Sequence, residues 1–256
     1  MSSSAYLNSE ILSELSAKTF QSAIPFPWAN PPCFIRSERF LELAASLPAH
    51  SSFRPFFGKK RKHGQASHDR YVLDYEDGIE LAPAWQAFIT ELKSTEYRSF
   101  VARLLDVPEV SFRFHWHFTP SGAQVSPHCD ATHKLGSHIF YFNTEDDWNW
   151  NWGGQTVLLD DHGQFTADSS PSFEDFPTEY VASIKENHSL IFGRRGNSWH
   201  GVRKIECPEG YYRKVFIVVF YGEKPTYVRK SKNILRRMKR IFADSSKAQK
   251  VKTARY

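Results

Sequence analysis

The period of the hydrophobic positions changes once along the chain, near residue 110. Before that point apolar residues recur three and four apart: Trp85, Phe88, Ile89 and Leu92, then Phe100, Val101 and Leu104. This spacing predicts two helices, Ala84 to Leu92 and Tyr97 to Leu105, broken near Ser94. A shorter helix is expected over Ser9 to Thr19. The Pro/Trp-rich passage after it (Pro25, Pro27, Trp28, Pro31, Pro32) reads as an extended segment lying along something else. Ser37 reads as the cap of a helix from Glu38 to Leu47, with Phe40, Leu41, Leu43 and Ala44 on its apolar side and Pro48 as its stop. Arg70 to Tyr75 is expected as a short strand. The polar run Gly58 to Gly64 is expected as a basic loop, either solvated or guiding an anionic ligand.

From residue 112 the period becomes two. Phe112, Phe114, Trp116 and Phe118 alternate with Arg113, His115 and His117, which predicts a strand with one aromatic and one polar face. Further strands are expected at 123–129, 136–143, 155–159, 179–184, 189–192, 200–204 and 211–221, separated by turn residues such as Gly153-Gly154 and Gly163. Helices followed by about eight short strands predict an α+β fold ending in a jelly-roll barrel. The expected organisation is one domain over residues 1–224, with a helical leader (1–109) and a jelly-roll core (110–224), and then a basic tail over 225–256.

Composition adjusts this picture in two places. The chain's net charge of +5 is uneven: residues 225–256 hold 11 Lys/Arg against the single acid Asp244, so the body before them is mildly acidic. Within the tail, Ile234, Leu235, Met238, Ile241 and Phe242 share one face of an expected helix, with cations on the other. The 229–242 helix therefore either contacts a membrane surface or an acidic partner, or docks on the body. It lacks the aromatic interleaving of single-strand nucleic-acid binders, so no nucleic-acid partner is expected. Three cysteines without CxxC spacing, and no basic-then-apolar leader, point to a reducing, cytoplasmic setting. The longest apolar run, Val215 to Tyr221, is far short of the ~20 residues that span a bilayer.

The candidate chemistry centres on His128-Cys129-Asp130. In extended backbone, residues two apart face the same way, so His128 and Asp130 converge while Cys129 points away and reads as packing. A second imidazole from another strand, His200, completes a 2-His-1-carboxylate set, the arrangement of non-haem Fe(II) oxygenases. Arg213 opens the most apolar strand, where a lone cation needs an anionic partner, and a carboxylate suits its fork. His115 and His117 either form a polar strand face, bind metal themselves, or line the barrel and touch substrate. Trp148, Trp150 and Trp152 either form an aromatic lid for a ring-bearing substrate or fold back as core.

With these residues in view, the chain resembles the Fe(II)/2-oxoglutarate-dependent dioxygenases, in particular their prolyl-4-hydroxylase-like branch. The resemblance covers about residues 112–222: His128-Cys129-Asp130, Ile139 to Asn143, Gly153-Gly154, Leu190 to Gly193 before Trp199-His200, and Arg213 leading into Val215 to Phe220. It implies a double-stranded β-helix (jelly-roll, cupin-like) with N-terminal supporting helices. It also implies Fe(II) on His128, Asp130 and His200, and 2-oxoglutarate on Arg213, with Tyr141 at the same carboxylate. Family chemistry consumes O2 and 2-oxoglutarate, releases succinate and CO2, and hydroxylates an unactivated C–H bond. Phe118 falls where some members place a tyrosine on the co-substrate, and it lacks that hydroxyl. The branch suggests a prolyl residue or a free amino acid as substrate. A small metabolite or sugar building block remains an alternative, as does a non-catalytic jelly-roll binding protein acting through its tail. A cupin-like metal isomerase or hydrolase would not need Arg213.

Overall fold

A computed structural model describes residues 5–222. The expected basic tail, with its 229–242 helix, lies outside the described residues. In chain order the leader contains α1 (Ser9–Glu14), α2 (Ala17–Gln21), β1 (Trp28–Ala29), α3 (Ser37–Ala45), β2 (Arg54–Phe56), β3 (Arg70–Asp74), α4 (Pro83–Leu92) and α5 (Thr95–Leu105). The strands that follow are β4 (Ser111–Thr119), β5 (Val125–His128), β6 (Lys134–Tyr141), β7 (Thr156–Asp160), β8 (Thr178–Val181), β9 (Ser189–Gly193), β10 (Trp199–Val202) and β11 (Arg213–Tyr221). No helix among the described residues is long and apolar enough to cross a membrane.

The strands form two antiparallel sheets, ordered β1-β9-β6-β11-β4-β3-β2 and β5-β10-β7-β8. The larger sheet is covered on its outer face by the leader. Phe114, Trp116, Phe140, Phe216 and Phe220 project that way and meet Trp85, Phe88 and Tyr97 from α4 and α5. Trp85 is fully enclosed and crosses Trp116 edge-on at 5.2 Å between ring centroids, a favoured aromatic geometry. Alternate residues of the same strands face the smaller sheet, where Ile139, Tyr141 and Val215 pack with Leu158 of β7. β11 is buried on both faces, which is why it reads as an unbroken apolar run rather than an alternating one.

Local sequence explains most element boundaries. The Ser94 side chain accepts from the Tyr97 amide at 3.3 Å and starts α5 as an N-cap, so the break expected near Ser94 is a cap. The expected first helix is two: its last segment is restarted by Ser16, which caps α2 through the Thr19 amide. Ser37 is the first residue of α3 rather than its cap; Arg36 holds the cap position without a side-chain bond. The Pro/Trp-rich passage does lie along another element, because Trp28 and Ala29 pair with Phe192 and Ile191 of β9. Strand β2 was not signalled, since Pro55 lies within its three residues.

Candidate metal and co-substrate site

The site forms between the two sheets. His128 ends β5 and His200 lies in β10, and the two are direct cross-strand partners, so their side chains emerge on one face. Their rings are 4.4 Å apart between centroids. Asp130, just past the end of β5, joins them, and one ligating atom from each of the three lies within 4.8 Å of the others. Cys129 turns outward against Trp199 and its neighbours, and burial pushes its thiol up to about 12.

The donor set suits a divalent metal. Nδ1 of His128 faces the Ser126 carbonyl at 3.0 Å, and Nδ1 of His200 faces the Ser198 carbonyl at 3.0 Å. A carbonyl only accepts, so each Nδ1 carries the proton and each Nε2 keeps a lone pair. Burial lowers the pKa of both imidazoles, so both are neutral near pH 7. Burial alone would raise the Asp130 carboxyl. The Lys134 ammonium, donating to Oδ1 at 2.6 Å, together with His200 and His128 outweighs it and holds the acid below the usual range. Two neutral imidazoles and one carboxylate are ligands that suit Fe(II) and leave coordination positions open.

Arg213 reaches the same cavity from the other sheet. It is 5% exposed and, among the described residues, no carboxylate lies within ion-pair distance of it. Its Nε donates to the Gly154 carbonyl at 2.5 Å and its Nη2 to Thr156 Oγ1 at 3.2 Å. Tyr141 does not line the cavity; its hydroxyl donates to Thr156 Oγ1 at 2.9 Å, and the Arg213 guanidinium stands 5.4 Å over its ring. Tyr141 therefore meets this region through Thr156, a cavity residue without a sequence signal of its own, and through its contact with Arg213 itself. Gly154 is required here by its backbone, at φ +88°, and because an added Cβ would sit 3.0 Å from Arg213 Cδ. Gly154→Ala is expected to cost about 1–3 kcal/mol in strain and to weaken whatever Arg213 binds. Thermal unfolding with and without 2-oxoglutarate measures both effects.

The cavity holding the three ligands and Arg213 measures about 300 Å³. His115 and His117 line it from the polar face of β4, their rings stacked at 4.6 Å, and they are not part of the ligand cluster. Burial depresses His115 to about 4 and holds His117 well below its ordinary value, so both are neutral. Trp150 does not line this cavity; with Trp148 and Trp152 it packs against Val202, Ile205 and Cys207, so the tryptophan loop folds back as core. Phe118 also faces away, stacked on Phe53 at 4.2 Å beneath the helices. Among the cavity residues that the structure adds from the leader are Arg61, His68 and Arg70, which periodicity did not single out. His68 is buried, hydrogen-bonds Ser126 Oγ at 3.1 Å and stands 4.7 Å from the His128 ring.

No protein-family model and no curated protein sequence matches the chain. Solved structures do match its fold. A prolyl-4-hydroxylase from Pseudomonas putida superposes with a TM-score of 0.56 at 16% identity, covering 83% of this chain and 100% of that one. A Trichoplax adhaerens prolyl hydroxylase, solved with a hypoxia inducible factor peptide fragment, gives 0.57 at 13% identity over 83% of this chain and 90% of its own. The non-heme alpha ketoglutarate dependent epimerase SnoN from nogalamycin biosynthesis gives 0.56 at 11% identity, over 84% and 82%. This chain thus has the fold shared by prolyl hydroxylases and other non-heme 2-oxoglutarate-dependent oxygenases.

Proposed function

We propose that this protein is an Fe(II)- and 2-oxoglutarate-dependent dioxygenase of the prolyl-4-hydroxylase-like branch, built on a double-stranded β-helix. The observation that carries the reading is one cavity containing both a 2-His-1-carboxylate cluster and a buried arginine that no carboxylate of the described chain neutralises. A metal isomerase or hydrolase would have use for the cluster but none for Arg213.

His128, Asp130 and His200 would hold Fe(II), with Ser126 and Ser198 fixing the imidazole tautomers through their carbonyls. Arg213, steadied by Gly154 and Thr156, would receive the distal carboxylate of 2-oxoglutarate. Ile139, Ile217 and Val219 give the cavity an apolar wall that limits water beside the reacting groups. Bound Fe(II) supplies the O2 chemistry that couples loss of CO2 from 2-oxoglutarate, leaving succinate, to hydroxylation of a C–H bond. The acceptor is a peptide, a free amino acid or a small metabolite.

Anaerobic protein loaded with one Fe(II) should develop a metal-to-ligand absorption band when 2-oxoglutarate is added. Stoichiometric metal binding without that band would sink the assignment.

A further inference from the structure

The arginines of the cavity outnumber what the proposed reaction uses. Arg213 answers one carboxylate of 2-oxoglutarate, and Asp130 is engaged by Lys134. At the rim, Arg54 is paired with Asp74 at 2.7 Å, and Asp69 is taken up by the Gly58 amide at 2.8 Å. That leaves Arg61 and Arg70, both partly buried in the cavity lining, with no carboxylate within ion-pair distance among the described residues.

Both side chains are held in place. Arg70 donates from Nη1 to the His68 carbonyl at 2.6 Å and from Nε to His117 Nε2 at 3.4 Å, and it lies 4.8 Å over the Phe56 ring. Arg61 donates from Nε to Gln65 Oε1 at 3.3 Å. Burial lowers the pKa of Arg70 to about 10, with the nearby Arg61 adding to the shift, so both remain cations at neutral pH. Confining two like charges without an anion costs free energy unless a ligand supplies the counter-charge.

The adjoining space has the same sign. A second, more open hollow of about 620 Å³ shares Phe56, Arg61 and Asp130 with the metal cavity, and Lys59, Lys60 and Arg194 also line it. The smaller cavity is needed for the co-substrate, so a substrate approaches through the larger one, past Arg61. Asp130 near Arg61, and Asp74 and Asp69 near Arg70, offset part of this charge at longer range, but none contacts either guanidinium, and the two forks together match the several oxygens of a phosphate monoester better than the two of one carboxylate.

We propose that the substrate carries a phosphate group and that Arg61 and Arg70 receive it at the rim of the metal cavity, with its reacting C–H directed at the metal. This rests on the proposed function for the identity of the metal and co-substrate, while the anion site itself does not.

The test titrates inorganic phosphate, with acetate as the carboxylate control, into anaerobic Fe(II)-loaded protein at saturating 2-oxoglutarate, followed by calorimetry. Phosphate should bind at one site, at least ~10-fold tighter than acetate. Arg61→Gln with Arg70→Gln should weaken phosphate by at least ~10-fold while leaving the 2-oxoglutarate absorption band in place. Arg61→Gln alone, at the less engaged of the two positions, serves if the double variant does not fold. No phosphate binding to the wild type, equal binding of acetate, unchanged binding in the variants, or loss of the 2-oxoglutarate band with the arginines would each overturn the proposal. Phosphate binding that depends on Arg61 and Arg70, in a wild type that shows no 2-oxoglutarate band, would instead overturn the proposed function and leave the phosphate site standing.

Discussion

Asp130→Ala is expected to abolish succinate formation from 2-oxoglutarate, whether or not a substrate is present. Asp130 is the only anionic member of the ligand cluster, so its loss leaves two neutral imidazoles to hold a dication. Removing a partner that merely orients a ligand costs about 10–100-fold in metal affinity, and removing the ligand itself should exceed that. The metal-free fold should survive, because the carboxylate lies just past the end of β5 and contributes no ladder hydrogen bond. Metal content after dialysis, succinate release under O2 and the thermal midpoint of metal-free protein together check this result. A variant that keeps wild-type metal affinity would exclude Asp130 as a ligand.

Arg213→Met is expected to separate stability from function. In wild type the guanidinium is buried against Gly154 and Thr156 with no carboxylate partner among the described residues, an arrangement that costs stability until an anion arrives. Methionine fills similar space without the charge, so the ligand-free variant should be at least as stable as wild type. Its 2-oxoglutarate requirement should rise by ~30-fold or more, the range for losing one partner of a desolvated charge pair. Saturating 2-oxoglutarate at about 100 times its dissociation constant should stabilise the metal-loaded wild type by about 2.7 kcal/mol, and the variant far less at the same concentration. Unchanged co-substrate dependence would remove Arg213 from the site.

Much of this arrangement was legible from local patterns. His128 and Asp130 declare themselves because residues two apart share a face, and Arg213 because a charge before seven apolar residues is costly to bury. The period-two alternation around His115 and His117 places them on one face of β4, and the structure turns that polar face inward. What stayed hidden depends on contacts remote in sequence. Arg61 reads as part of a basic loop that is either solvated or guiding an anionic ligand, and nothing local distinguishes it from Lys59 or Lys60; only the docking of the leader beside β5 sets it in the cavity. Trp150 lies outside the metal cavity for a related reason. An aromatic cluster in a loop reads the same whether it covers a substrate or its own hairpin, and Val202 and Ile205 decide in favour of the hairpin. Phe118 belongs to the aromatic face of β4, which the helices claim.

One consequence follows from the placement of the site across two sheets. The imidazoles stand on β5 and β10, whereas Arg213 stands on β11, and no backbone ladder joins these two groups. The distance between them is set by the side chains layered between the sheets, above all Tyr141, Leu158 and Val215. Under the proposed function that layer sets the gap that a five-carbon diacid would have to span from arginine to metal. Thinning or thickening the layer by a methyl group alters reach as well as stability. Substitutions in this part of the core would therefore change a length, and a related chain with the same ligands but a different spacer would be the one to inspect for a different co-substrate.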